Sequence, residues 1–274
     1  MSFISLDSKF KNPNPKRMTL VAFVAIFAGT TAMGAFISAQ SPSTRVAPSA
    51  NAKEQNSQSA SASAHLKHRY SFSSDAKDSI GDAAGKLEGA AQVKDGKLIL
   101  NGSTGTFVDL PGGLLSGYKA ATIEFWISTG QNGNYARVFD AGEISGHSGI
   151  KSIYFCVDHT SSGDWRLKIS VPDGKDQVVA IKGNLSDRKD LHVVNVLDPA
   201  TGFMGIYVNG ELVGSRTDLI SLEGVSPHYF FIGRSLYSAD AYLNASIDEF
   251  RIYDSALSPE QVKNDYSAGP NRIP

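Results

Sequence analysis

A stretch near the end of the chain, YLNASIDEFRIYDSALSPEQVKNDY at residues 242–266, most constrains what the polypeptide can fold into. From Asn244 to Tyr253 the side chains alternate with period two, the pattern of a β-strand. Ala245, Ile247, Glu249, Arg251 and Tyr253 fall on one face, and Ser246, Asp248, Phe250, Ile252 and Asp254 on the other. Ser258 then stands where a helix N-cap belongs, Pro259 suits the first helical position, and Gln261 completes a capping box. The spacing predicts a strand, a turn and a short helix that ends near Gly269 and Pro270.

Upstream, strand-length runs lie near 68–73, 97–101, 105–109, 120–128, 135–141, 151–158, 164–171, 176–182, 190–197, 203–208, 211–216 and 228–234. Asn209-Gly210 between two alternating runs is the strongest short hairpin signal. Asp95-Gly96 and Pro172-Asp173-Gly174-Lys175 mark further tight turns. Short strands at regular spacing, with one helix at the very end, predict two antiparallel sheets packed face to face. The expected class is all-β, a two-sheet antiparallel jelly-roll sandwich with a short C-terminal helix.

The order of these pieces resembles a known family. HRYSFSSDAKDSIGDAAGKLEGAAQVKDGKLILNGSTGTFVDLP, from His68 to Pro111, is similar to a first strand, an Asp-Ser-x-Gly turn, a Gly-rich crossing and a hairpin of the laminin-G-like domains. ATIEFWIST, GFMGIYVNGELVGSR, YFFIGRS, and finally SIDEFRIYD with ALSPEQVKNDY, follow in the order those concanavalin A-like lectin and glucanase sandwiches show. The resemblance implies a scaffold and leaves function to the site. It also implies a structural calcium between the first turn and the last strand, at positions matching Asp78, Asn101 and Asp248. The alternative for these residues is that Asp78 caps a turn and Asp248 accepts backbone N–H bonds or pairs with an arginine.

Three regions divide the chain. Lys9, Lys11, Lys16 and Arg17 precede an uncharged run from Met18 to Ala39, with small residues before Gln40, so residues 1–39 read as a signal peptide or an uncleaved signal anchor. Residues 40–64, QSPSTRVAPSANAKEQNSQSASASA, carry almost no large apolar side chain and read as a flexible linker. Residues 65–274 are long enough for one sandwich. Either reading of the first region places the domain outside the cytoplasm: secreted, periplasmic or at the cell surface, touching membrane only through an uncleaved N-terminal segment.

Lys and Arg total 26 against 27 Asp and Glu, a net charge of −1, which argues against nucleic acid as a partner. Cys156, the sole cysteine, lies in an apolar strand and reads as a buried hydrophobe. Retaining glycosidases of related sandwiches need two carboxylates on one face about 5 Å apart. Asp248 and Glu249 are adjacent and point apart, Glu124 is a lone acid, and no Glu-x-Asp-x-x-Glu run occurs. No Gly-x-Ser-x-Gly, His-Glu-x-x-His or Walker loop is present, and the histidines are scattered.

Over a glycoside hydrolase with atypical catalytic residues, which stays as the third reading, these absences favour a non-catalytic recognition module. Its partner is a polysaccharide or cell-surface glycan or, alternatively, an extracellular protein met through the same surface, as in many laminin-G-like domains. Sugar binding calls for aromatic faces flanked by polar groups. Trp165, Tyr237 and Tyr242 are the candidate platforms, with Asp240 and Arg137 as polar neighbours and Arg234 as a further strand arginine, while Trp126 reads as a core or sheet-face residue.

Overall fold

The computed structural model describes residues 65–170, 175–219, 221–225 and 227–273, so the expected signal segment, the linker and most of the turn at 172–175 lie outside the described residues. Fifteen strands are described: β1 Leu66–Tyr70, β2 Lys86–Glu88, β3 Gln92–Lys94, β4 Lys97–Asn101, β5 Phe107–Leu110, β6 Ala121–Thr129, β7 Arg137–Ser145, β8 Ser148–His159, β9 Asp164–Ile169, β10 Gln177–Lys182, β11 Leu191–Asp198, β12 Phe203–Val208, β13 Glu211–Arg216, β14 Tyr229–Ile232 and β15 Asn244–Tyr253. One helix, α1 Pro259–Ala268, follows them. Among the described residues no helix is long and apolar enough to cross a membrane.

Two antiparallel sheets form. The eight-stranded sheet runs β13-β12-β11-β6-β15-β4-β3, and β1 joins it against the second half of β15, beyond the stretch that β4 pairs. The seven-stranded sheet runs β10-β9-β8-β7-β14-β5-β2. Their inner faces meet in one core, where Phe125 stacks on Phe250 at 6.0 Å and meets the edges of Phe155 at 5.4 Å and Phe139 at 6.3 Å. Each such fully buried ring contributes about 1.5–3 kcal/mol of transfer free energy, so this layer of phenylalanines holds the sandwich closed.

The last strand departs from strict alternation. A bulge falls between Ile247 and Glu249, so Ala245 and Ile247 face the core, and after it Phe250 and Ile252 do. An inserted residue reverses the parity of everything beyond it. Glu249, Arg251 and Tyr253 therefore share the outer face without Ala245 and Ile247, and Asp248 sits at the irregularity, 3.1 Å from Lys97. The capping box forms as the spacing predicts: Gln261 N donates to Ser258 Oγ at 3.2 Å, and Ser258 N donates to Gln261 Oε1 at 2.8 Å. Asn209 and Gly210 take φ of 52° and 80°, the left-handed pair that a two-residue hairpin requires. β7 and β8 extend as a hairpin through Glu143–Ile150, where the polar GEISGHSG carries no alternation to read.

Helix α1 covers the outer face of the eight-stranded sheet, in contact with a buried charged network. Glu124 accepts from Tyr253 Oη at 2.8 Å and Arg251 at 3.1 Å, and lies 2.7 Å from His192 Nε2. Arg251 also bonds Glu249, which Arg69 holds at 2.7 Å. His192 is stacked between Trp126, at 4.4 Å, and Tyr266 of the helix, at 5.8 Å, so Trp126 is a sheet-face residue. Burial opposes ionisation of Glu124, but the His192 bond and the Arg251 charge overcome it and hold its pKa below the ordinary value. Asp265, brought by the helix, is the member without a counter-ion: it is 1 % exposed and neither carboxylate oxygen has a hydrogen-bond partner.

Candidate functional site: the outer face of the seven-stranded sheet

The outer face of the seven-stranded sheet, opposite the one that the helix packs on, is the candidate site. Strand register sets one row across it: Lys86, Asp109, Phe231, Asp140, Tyr154, Lys168 and Val178 are successive cross-strand neighbours from β2 to β10. A second row passes through Arg137, Cys156, Arg166 and Ala180. The segment from Gly233 to Leu243, joining β14 to β15, folds over the middle of both rows.

Arg137 pins that segment down. Its guanidinium lies 3.8 Å from the centroid of the Tyr154 ring, donates to Asp240 Oδ2 at 3.2 Å and to the Tyr135 carbonyl at 3.0 Å, and stands 3.6 Å from Asp140. Ser235 Oγ donates to Asp240 at 2.7 Å and reaches Asp140 at 3.3 Å, while Leu236 N donates to Asp140 at 3.0 Å. Burial pushes the Asp140 carboxyl up to about 6 against the opposing charge of Arg137, and raises Asp240 in the same direction. Ser235 Oγ also accepts from Tyr237 N at 3.0 Å, which places the half-buried Tyr237 ring at the edge of the segment, over Gly149. At the rim Tyr135 holds φ of 64°, costly for a large side chain, and is locked by its bond to Ser161 and by His159, whose ring meets it edge-on at 4.6 Å.

Arg137, Tyr237 and Asp240 thus come together, with Arg137 as the anchor under the segment and Tyr237 as the ring nearest solvent. Tyr242 lies in an adjoining apolar cluster with Phe107, 6.3 Å away, Phe231 and Leu236, over which Arg234 stacks. Trp165 does not belong: it is 1 % exposed and packs 5.7 Å from Phe155 in the core, because on β9 the odd-numbered residues Trp165, Leu167 and Ile169 point inward. The sequence placed it at a turn, where the face of the strand could not be fixed.

Each residue expected to hold calcium has protein partners of its own. Asp78 spends both oxygens on protein donors: His68 at 2.7 Å and the backbone N–H groups of Arg69, Gly81, Ile80 and Ala83 at 2.9 to 3.4 Å. Burial works against its ionisation, yet these bonds hold its pKa below the ordinary value. Asn101 Oδ1 accepts from Ser103 N, and Asp248 pairs with Lys97. Among the described residues no group of three or more His, Cys, Asp or Glu side chains is arranged to hold a metal ion. These are the turn-capping and ion-pair roles of the alternative reading, with lysine in place of arginine.

Tyr154, Lys168, Arg166, Asp140 and Tyr135 were missed. Ile153 to Val157 is apolar throughout, so the sequence gives no sign of which residues leave the core. Arg166 and Lys168 do alternate with Trp165 and Leu167, and that period was the available signal. A surface cleft of about 290 Å³, lined by Tyr118, Pro199 and Leu222 among others, shares no residue with this face.

Two stacked antiparallel sheets around one core define the class: a jelly-roll β-sandwich. A model of the concanavalin A-like lectin/glucanases superfamily matches residues 101–263, and the chain belongs to that superfamily. No curated protein matches it. Among solved structures, a botulinum neurotoxin serotype D binding domain is similar at TM-score 0.59 and 17 % identity, over 76 % of this chain and 53 % of that one. The receptor-binding domain of the botulinum neurotoxin C/D mosaic gives 0.58 and 18 %, over 75 % and 52 %. The chain therefore spans about half the length of those toxin domains. Domain 4 of an extracellular GH43 arabinanase from Geobacillus stearothermophilus, solved with arabinotriose, gives 0.53 and 22 %, over 73 % of this chain and 97 % of that domain.

Proposed function

We propose that the protein is an exported, non-catalytic module that binds polysaccharide or cell-surface glycan on the outer face of its seven-stranded sheet, beside the Gly233–Leu243 segment. The observation that carries the reading is the Arg137–Asp240–Ser235 lock, which holds the Tyr237 ring at the edge of a face rich in paired hydrogen-bonding groups. A fixed aromatic ring beside polar side chains is what a pyranose or furanose needs. The arabinanase domain was solved with arabinotriose, and the toxin structures include one whose cell entry depends on two ganglioside molecules, which supports a glycan as ligand. Asp140 and Asp240 are bound by Arg137 and Ser235 under the segment, an arrangement unlike two free acids flanking a sugar. Export rests on the uncharged Met18–Ala39 run behind four basic residues.

A glycan array probed with the full chain, with and without calcium, tests this, alongside an assay of reducing-end release. Glycan binding that Tyr237→Ala weakens supports the proposal. No bound glycan in either condition turns the reading to a protein partner, and reducing-end release overturns the absence of catalysis.

A further inference from the structure

The charges on this face are arranged in pairs. Arg166 donates through two nitrogens to the two oxygens of Asp164, both at 2.6 Å. Lys168 stands 2.6 Å from Asp176, Arg137 3.2 Å from Asp240, and Lys151 3.2 Å from Glu143. Each of the four cations along β7, β8 and β9 thus has a carboxylate partner, and Arg137 has a second in Asp140, 3.6 Å away. We infer that the ligand of this face is an uncharged polysaccharide, an inference that rests on the glycan reading above.

A sugar carboxylate or sulfate entering here would have to displace an acid already bound to each cation, and for Arg166 it would have to replace a bidentate partner with geometry of the same kind. A neutral sugar has no such competition. Two vicinal hydroxyls present a donor and an acceptor side by side, and an ammonium beside a carboxylate presents the complement without either ion giving up its partner. Lys168 and Asp176 offer that combination at the edge of the face: the Asp176 side chain is 49 % exposed, and Lys168, 15 % exposed, lies 5.7 Å from the centroid of the buried Tyr154 ring, which orders the ammonium. Tyr237 stands beside them.

The test uses the full chain in affinity electrophoresis and calorimetry with neutral polymers (arabinan, xylan, mixed-linkage glucan) and acidic ones (polygalacturonate, alginate). Binding of a neutral polymer is expected, with Kd changing less than about twofold between about 0.1 and 1 M salt, over which the screening length falls from about 10 to 3 Å. Acidic polymers are expected not to bind. Asp176→Asn leaves Lys168 without its acid and is expected to create salt-sensitive binding of polygalacturonate, while Tyr237→Ala lowers neutral-polymer affinity about fivefold. A wild-type preference for acidic polymers that collapses with salt overturns the inference and leaves the glycan reading standing. An Asp176→Asn variant that stays blind to acidic polymers overturns the role of the pairing. Binding of no polymer by the wild type overturns the glycan reading and the inference together.

Discussion

Replacing Asp265 by asparagine should stabilise the protein at neutral and alkaline pH while leaving it nearly unchanged in acid. Asp265 sits on the underside of α1, 1 % exposed, facing Glu124 and Glu249 as well as Arg251. Burial raises its pKa to about 8, and the neighbouring charge of Glu124 adds to the effect. An ionised Asp265 has no donor for either oxygen, whereas a protonated one becomes a donor itself, toward Glu124. The folded pKa lies above the unfolded value of 3.8, so the native state holds a proton that the unfolded chain releases, and stability falls as pH rises between about 4 and 8. At about 1.4 kcal/mol per pH unit, the loss from pH 4 to pH 7 is on the order of 4 kcal/mol. Asparagine has nothing to ionise and keeps an N–H donor for Glu124. The difference in unfolding free energy between Asp265→Asn and wild type should therefore be small near pH 4 and grow in the variant's favour through pH 8. Urea denaturation followed by Trp126 fluorescence in a Trp165→Phe background reads it out, since Trp126 lies under the His192–Tyr266 stack. A difference that is flat with pH, or one that favours wild type as pH rises, would refute the argument.

The other predictions contrast faces and positions. Trp165→Ala should cost about 3–5 kcal/mol in urea denaturation, because the ring fills the core, whereas Tyr237→Ala should change stability by less than about 1 kcal/mol. Asp140→Ala leaves Arg137 without its buried neighbour and should destabilise by about 3 kcal/mol, and hydrogen exchange of Leu236 N–H should speed up with it. Ser258→Ala removes the capping box and should cost about 1 kcal/mol, measured as a fall in the urea midpoint. Adding calcium or a chelator should shift the thermal midpoint by less than about 1 °C, since Asp78 and Asp248 are already satisfied by protein groups; a calcium-dependent rise of several degrees would refute that assignment.

What the sequence disclosed follows from how local each signal is. The β15-to-α1 transition was legible because capping uses residues three apart, and the Asn209-Gly210 hairpin because its turn needs two left-handed residues in succession. The bulge at Asp248 was not legible: nothing in SIDEF marks an extra residue, and its effect is to reverse which side chains meet the core. At the candidate site, Tyr237, Asp240 and Arg137 stood out in the sequence because polar and aromatic residues in a loop or strand are conspicuous, and the structure brings the three together. Their distances from one another were hidden, since Arg137 and Asp240 are joined across more than a hundred residues of chain. Trp165 failed for a related reason, because one residue of register decides between core and solvent.

The two outer faces of the sandwich carry charge differently, and that difference favours the seven-stranded one for the proposed ligand. On the eight-stranded sheet, Glu124, Arg251 and Glu249 form a chain of fully buried ion pairs beneath α1, with Arg69, 16 % exposed, at its rim. On the seven-stranded sheet a loop takes the place of the helix, and only Arg137, Asp140 and Asp240 are spent in fixing it. Beside that loop Asp176 is 49 % exposed, while Arg166 and Lys168 keep 13 % and 15 % of their side chains in solvent and stay paired with their acids. Ligand chemistry needs polar groups that are ordered before the ligand arrives and uncovered when it does. Of the two outer faces, the seven-stranded one comes nearer to both conditions, through Asp176 and the half-buried Tyr237.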